Sequence, residues 1–215
     1  MSKTIALFIH QPKCSIQSGN GIMNALKEHY NFKVFTKHEL EDDFFNSVDA
    51  VCFPGGIGDA DSYDYLLQSN GRVIRDFVQR GGKYLGVCMG AYWAGKEYFN
   101  LLNNVEPQQY IKRPNSDTRR PHAKNIKVTW REEQQKMFFY DGCALVGDEQ
   151  KFETIARYSN GDPMAIIQSN IGLIGCHPES EPHWYKSYSW MRGLWHDGRH
   201  HKLLLEFVDE LMERK

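Results

Sequence analysis

The chain has 215 residues, 41% of them hydrophobic and 25% charged, with a formal net charge of -1 at pH 7. This length suits one well-buried domain over residues 1–215, and the composition is that of a globular protein. Near-neutral charge gives no global attraction to nucleic acid or to an anionic membrane surface, and no apolar run approaches the ~20 residues of a membrane helix.

Ile5 to Ile9 predicts a first strand, too short for the core of a signal peptide, so a cytoplasmic protein is expected. The loop His10 to Asn20 is rich in Gln, Ser, Gly and Pro. A helix is predicted over Gly21 to Tyr30, with Ile22, Met23, Leu26 and Tyr30 on one face. Phe32 to Phe35 reads as a second strand and Val48 to Phe53 as a third. The third is almost wholly apolar, as where helices cover both faces of a parallel sheet. Arg72 to Arg80 predicts a helix with Val73, Ile74, Phe77 and Val78 as its buried stripe, ended by Gly81-Gly82. Tyr84 to Val87 is the next strand and Ala91 to Tyr98 the next helix. Alternating strands and helices with short links predict a doubly wound sheet, whose sites lie beyond the strands' carboxyl ends.

Asn100 to Asn125 breaks this rhythm. It reads as an irregular basic insertion carrying Pro107, Pro114 and Pro121, and a basic run (Lys112, Arg113, Arg119, Arg120, Lys124, Lys127, Arg131) begins in it. That run reads as a solvated face before it reads as a site for an anionic substrate. Short strands are predicted at Ile126 to Trp130, Lys136 to Tyr140, Ala144 to Val146, Phe152 to Tyr158, Met164 to Gln168 and Gly172 to Cys176. The turn sequences Asp141-Gly142, Asn160 to Pro163 and Ser169-Asn170 suggest antiparallel hairpins. Lys202 to Arg214 closes the chain as an amphipathic helix. The aromatic residues Trp184, Tyr185, Tyr188, Trp190 and Trp195 read as packing under a lid-like segment.

The cysteines (Cys14, Cys52, Cys88, Cys143, Cys176) are scattered, with no Cys-x-x-Cys pair, which predicts reduced thiols. No Cys/His cluster has metal-ligand spacing, and no cofactor or metal is expected. Gly198-Arg199-His200-His201 reads as a cap on the last helix and not as a metal site.

Three segments carry chemistry. Gly86-Val87-Cys88-Met89-Gly90 follows a buried strand and precedes a helix, the pattern of a nucleophile elbow. Its glycines accommodate a strained nucleophile backbone, and the start of a helix favours thiolate over thiol. In His177-Pro178-Glu179, extended backbone puts residues two apart on one side, so Glu179 can reach the His177 ring. A carboxylate on one imidazole nitrogen frees the other to take a proton from a thiol. In Phe53-Pro54-Gly55-Gly56, glycine lets backbone amides approach a developing oxyanion, with Gly56 N–H and Met89 N–H as the natural pair. As a phosphate cradle this stretch is weak, because no Lys-Ser/Thr follows it. Each segment alone is an ordinary turn or a buried cysteine. Together they form one acyl-transfer site, provided that the strand before His177 neighbours the one before Cys88. Asp59, Asp61 and Tyr63 follow the glycine loop as possible pocket residues.

These motifs, in this order, resemble the class I glutamine amidotransferase superfamily. The closer resemblance is to the amino-terminal domain of biotin–protein ligases and its stand-alone relatives, through Phe53-Pro54-Gly55-Gly56 with Tyr63, Gly82-x-Tyr84 to Tyr92, Phe139 to Gly142, Ile155 to Tyr158 and His177-Pro178-Glu179. The resemblance implies a flavodoxin-like three-layer α/β sandwich with a mostly parallel central sheet. It further implies Cys88 as nucleophile, His177 as base, Glu179 as its orienter, and Gly55, Gly56 and Met89 around the oxyanion. Glutamine amidotransferases usually carry His-Gln after the elbow; this chain has Ala91-Tyr92, which places Tyr92 at the substrate.

The function implied is a cysteine-dependent amidase or amidotransferase acting on a small-molecule or peptide amide, with an ammonia-accepting partner protein and neither nucleic acid nor membrane. Two other readings stand beside it. One is a catalytically silent binding or regulatory module. The other is the related protease/deglycase branch, which uses a Glu from an early strand where this chain offers His10 and Gln11.

Overall fold

The computed structural model describes residues 2–9, 16–56, 60–67 and 70–214. Its strands are β1 (Thr4–Phe8), β2 (Asn31–Phe35), β3 (Ala50–Phe53), β4 (Lys83–Val87), β5 (Val105–Gln109), β6 (Lys124–Trp130), β7 (Glu133–Phe139), β8 (Cys143–Gly147), β9 (Glu153–Tyr158), β10 (Pro163–Gln168) and β11 (Ile171–Ile174). The helices are α1 (Ile16–Leu26), α2 (Ala60–Leu67), α3 (Gly71–Gln79), α4 (Met89–Trp93), α5 (Pro182–Lys186) and α6 (Arg199–Glu213).

One large sheet runs β2-β1-β3-β4-β11-β10-β9-β6-β7, and β5 pairs with β8 in a separate ladder. The run from β2 to β11 is parallel; from β11 to β7 every pairing is antiparallel. This is the α/β, flavodoxin-type arrangement expected, with hairpins in the C-terminal half. Strand alternation sorts the core onto two faces. Ile5, Leu7, Leu85 and Val87 pack with Ile22 and Leu26 of α1 and with Leu204, Val208 and Leu211 of α6. Ala6, Phe8, Phe53 and Tyr84 pack with Ile74 and Phe77 of α3 and with Trp93. Both faces being covered, β3 and β4 are buried at every residue, which explains the apolar sequence of β3 and of β4 after Lys83. Among the described residues no helix is long and apolar enough to cross a membrane.

Several boundaries differ from the sequence reading. α1 begins at Ile16, inside the stretch read as loop, and ends at Leu26, short of Tyr30. Its Ser-Gly content reflects close packing: a Cβ on Gly21 would lie 2.3 Å from the Glu179 carbonyl oxygen. Tertiary contact here outweighs the low helix propensity of glycine. α4 stops at Trp93, well before Tyr98, and Phe99 turns back to stack its edge on Tyr63 and Trp93.

The segment read as irregular contains β5, whose Pro107 lies opposite Leu145 of β8. Asp141-Gly142 is therefore no hairpin turn. It carries the chain from β7 in the large sheet to β8 in the small one, and a Cβ on Gly142 would meet the Gly175 carbonyl at 2.0 Å. The basic run is largely engaged locally. Arg113 pairs with Asp162 at 2.8 Å, Arg131 with Glu210, and Lys124 donates to Thr118. α6 starts at Arg199 behind Gly198, whose φ of +79° suits glycine at that cap.

Candidate active site

β4 delivers Cys88 at φ 50° and ψ -100°, a conformation that L residues avoid. Hydrogen bonds hold it there. The Cys88 amide donates to Ile174 O at 2.8 Å, the Ala91 and Tyr92 amides donate to Cys88 O at 3.0 and 3.1 Å, and the Tyr84 hydroxyl donates to Gly90 O at 2.7 Å. The flanking glycines are steric requirements. A Cβ on Gly86 would sit 2.5 Å from Gly90 O, and one on Gly90 would sit 1.9 Å from Phe53 O.

β11 runs parallel to β4 with Ile174 opposite Val87, so His177 emerges three residues later at the same rim as Cys88. The His177 amide is anchored on Phe138 O at 2.9 Å, and its Nδ1 lies 2.8 Å from Glu179 Oε1. The Cys88 side chain lies close enough to the His177 ring to act on its charge. Both His177 and Glu179 are buried. Burial disfavours the imidazolium, but the Glu179 carboxylate, the Cys88 sulfur and the Glu179 hydrogen bond outweigh it and push His177 up to about 10. The imidazolium is thus the form this pocket favours at neutral pH, and it is the cation beside the sulfur. The helix dipole is the lesser contributor, because α4 has only 5 residues. Edge-on contacts from Trp184 (5.6 Å) and Phe138 (5.9 Å) shield the ring, which accounts for part of the aromatic segment after Glu179.

One side chain at the site escaped the sequence reading. Ser18, buried on α1, donates from Oγ to Glu179 Oε1 at 2.6 Å and accepts the Gly55 amide at 2.8 Å. Its only trace in the sequence is the small-residue run Ser18-Gly19-Asn20-Gly21. Gly55 therefore spends its N–H on Ser18. Its lack of a side chain serves close packing, since a Cβ there would lie 2.6 Å from His177 Cε1. Gly56 follows it and is exposed, while Met89 opens α4, where the first amides have no intrahelical acceptor.

Above the sulfur lies the crossing from β7 to β8. Cys88 Sγ is 3.5 Å from Tyr140 O, Tyr92 donates its hydroxyl to Asp141 O at 3.0 Å, and Gln109 Nε2 donates to the Asp141 carboxylate at 3.0 Å. Burial raises the Tyr92 phenol far above its usual range, so it stays a donor. Cys88 is 6% exposed in this arrangement.

Other candidate positions resolve differently. Tyr63 belongs to the aromatic core beside Trp93, and Asp61 is exposed in the first turn of α2. Asp59, His10, Gln11 and Cys14 lie outside the described residues. Burial pushes the Cys143 and Cys176 thiols well up, and Cys176 Sγ faces the Tyr158 hydroxyl at 3.9 Å.

The parallel sheet carries a Gly-x-Cys-x-Gly elbow on one strand and His-x-Glu beyond the neighbouring strand, on a fold similar to that of glutamine amidotransferases. Solved structures agree at the level of fold. A glutamine amidotransferase from Thermotoga maritima matches with a TM-score of 0.67 at 12% identity, over 99% of each chain. PurLQS from Thermotoga maritima matches with a TM-score of 0.65 at 15% identity, over 98% of this chain and 100% of that one. A putative GMP synthase subunit from Thermoplasma acidophilum gives 0.59 at 13% identity, over 100% of this chain and 99% of that one. The model of the family biotin-protein ligase, N terminal, matches residues 12–106. No curated protein matches the sequence.

Proposed function

We propose that this protein is a cysteine-dependent amidase or amidotransferase-like enzyme that cleaves a carboxamide through a Cys88 thioester. The observation that carries this reading is the buried His177 ring, bonded to Glu179 at 2.8 Å and set beside the side chain of a strained Cys88. In this mechanism the Cys88 proton resides on His177 as a thiolate–imidazolium pair, and the thiolate sulfur attacks the carboxamide carbon. The Met89 and Gly56 amides hold the resulting oxyanion. As the C–N bond breaks, the imidazolium gives its proton to the departing nitrogen, releasing ammonia or an amine. Water or a second amine, deprotonated by His177, then breaks the C–S bond and restores the thiolate–imidazolium pair. Glu179 keeps the ring oriented throughout. A partner that accepts ammonia fits this chemistry, and one structural neighbour carries the name of a synthase component.

Ammonia release from glutamine and from a panel of small and peptidyl amides tests the proposal, paired with mass mapping after an electrophilic glutamine analogue and iodoacetamide. Turnover lost in Cys88→Ala, with an adduct on Cys88, supports it. Full turnover in Cys88→Ala, or failure of both reagents to label Cys88, overturns it.

The second reading, a binding or regulatory module with a silent site, is favoured by the carbonyl of Tyr140 lying against the sulfur and by Tyr92 at the Gln position. Unchanged ligand affinity in Cys88→Ser and His177→Ala, with no turnover in the parent, would select it.

A further inference from the structure

We infer that Ser18 is a positioning residue for the Cys88 site, linking the glycine loop to the acid member through one hydroxyl. This inference rests on the proposed Cys88–His177–Glu179 chemistry and extends it to a residue on a separate element. A continuous buried chain runs from Gly55 N–H to Ser18 Oγ at 2.8 Å, from Ser18 Oγ to Glu179 Oε1 at 2.6 Å, and from that same oxygen to His177 Nδ1 at 2.8 Å. Ser18 is 1% exposed and Glu179 is 0% exposed, so water does not substitute for either bond in the folded protein.

The direction of each bond follows from chemistry. The Gly55 amide can only donate, so the serine oxygen accepts and its own proton goes to the carboxylate. A serine is one of the few side chains short enough to do both on a helix packed this tightly, with the Cβ position of Gly21 2.3 Å from the Glu179 carbonyl oxygen. Glu179 Oε2 has no hydrogen-bond partner among the described residues, so Oε1 carries the carboxylate's orientation. Ser18 thereby sets the Oε1 position that the imidazole reads. Its second bond commits the Gly55 amide to Ser18 and so takes that amide out of the set of oxyanion donors.

The test uses the full chain and reads the pH dependence of Cys88 alkylation by iodoacetamide, by mass mapping of the Cys88 peptide, so that no substrate is required. Ser18→Ala removes donor and acceptor together. A hydrogen bond to a charged group contributes about 1.5–3 kcal/mol, so we expect alkylation at neutral pH to fall roughly tenfold or more. The pH midpoint of the profile should move up as the imidazolium loses its fixed partner. Ser18→Thr, which keeps the hydroxyl, should restore the midpoint. In a His177→Ala background, Ser18→Ala should produce no further shift.

If His177→Ala moves the midpoint and Ser18→Ala does not, Ser18 has no positioning role while the Cys–His pair stands. If neither moves it, the pair itself fails and this inference with it. A Ser18→Ala shift of equal size in the His177→Ala background also overturns the inference, because the effect would then bypass the ring. Should Ser18→Ala not fold, Ser18→Cys replaces it, since a thiol of similar size is a weak donor and acceptor and is expected to reproduce the shift.

Discussion

The amide of Cys88 donates to the carbonyl of Ile174 at 2.8 Å. This ladder bond joins the carboxyl ends of two parallel strands that lie far apart in sequence. It fixes the elbow against the one strand whose continuation, three residues on, is His177. The geometry of the candidate site is thus a consequence of β4–β11 register, and disturbing that register should disrupt the site before it unfolds the protein.

Thiol reactivity should be selective. Near neutral pH, iodoacetamide should modify Cys88 ahead of Cys52, Cys143 and Cys176, which are fully buried and, for Cys143 and Cys176, held as thiols by burial. Peptide mapping checks this. Labelling of Cys143 or Cys176 at comparable rates would contradict the assignment of an imidazolium on His177 beside Cys88.

The elbow's strain should be measurable as stability. Cys88→Gly places glycine at φ 50°, where it is tolerated, whereas Cys88→Ala retains the steric cost. Urea denaturation should find the glycine variant more stable than the alanine variant by about 1–2 kcal/mol. Equal stabilities would mean the backbone is unstrained in solution.

Tyr92→Phe deletes the hydroxyl that tethers the Asp141 carbonyl. Its expected cost is about 1 kcal/mol of stability, typical of one hydrogen bond. Because that tether holds the crossing over the sulfur, Cys88 alkylation should speed up by several-fold. A slower reaction would instead assign Tyr92 a direct role at the thiolate.

The pH dependence of folding should carry the signature of His177. Its folded value lies at about 10, above the ordinary 6.5, so the stabilisation from its charged form is complete below that ordinary value and is lost as pH rises toward 10. Urea unfolding of the parent and of His177→Gln at several pH values should show a stability difference that is largest in mild acid and narrows with alkalinity. A gap that does not vary with pH would rule out an imidazolium in the native state.

Much of this molecule was written locally. The apolar runs of β1, β3 and β4, the amphipathic stripe of α3 and the glycines around Cys88 announce a buried parallel sheet with an elbow, because period and steric demand act over a few residues. The pair His177 and Glu179 is equally local, though a turn and not the expected extended backbone brings them together, with the Ser180 amide donating to His177 O at 3.2 Å.

What only the tertiary structure decided is where non-local packing overrules local preference. The Ser-Gly start of α1 looks like loop, and becomes helix because a backbone must approach Glu179 closely. Asp141-Gly142 has the composition of a hairpin turn, and instead crosses between sheets and lies over the sulfur, because β8 finds its partner in β5, more than thirty residues earlier in the chain. Ser18 meets Glu179 across a separation of 161 residues. No periodicity in a sequence encodes such a meeting, since it depends on which elements the folded core brings into van der Waals contact.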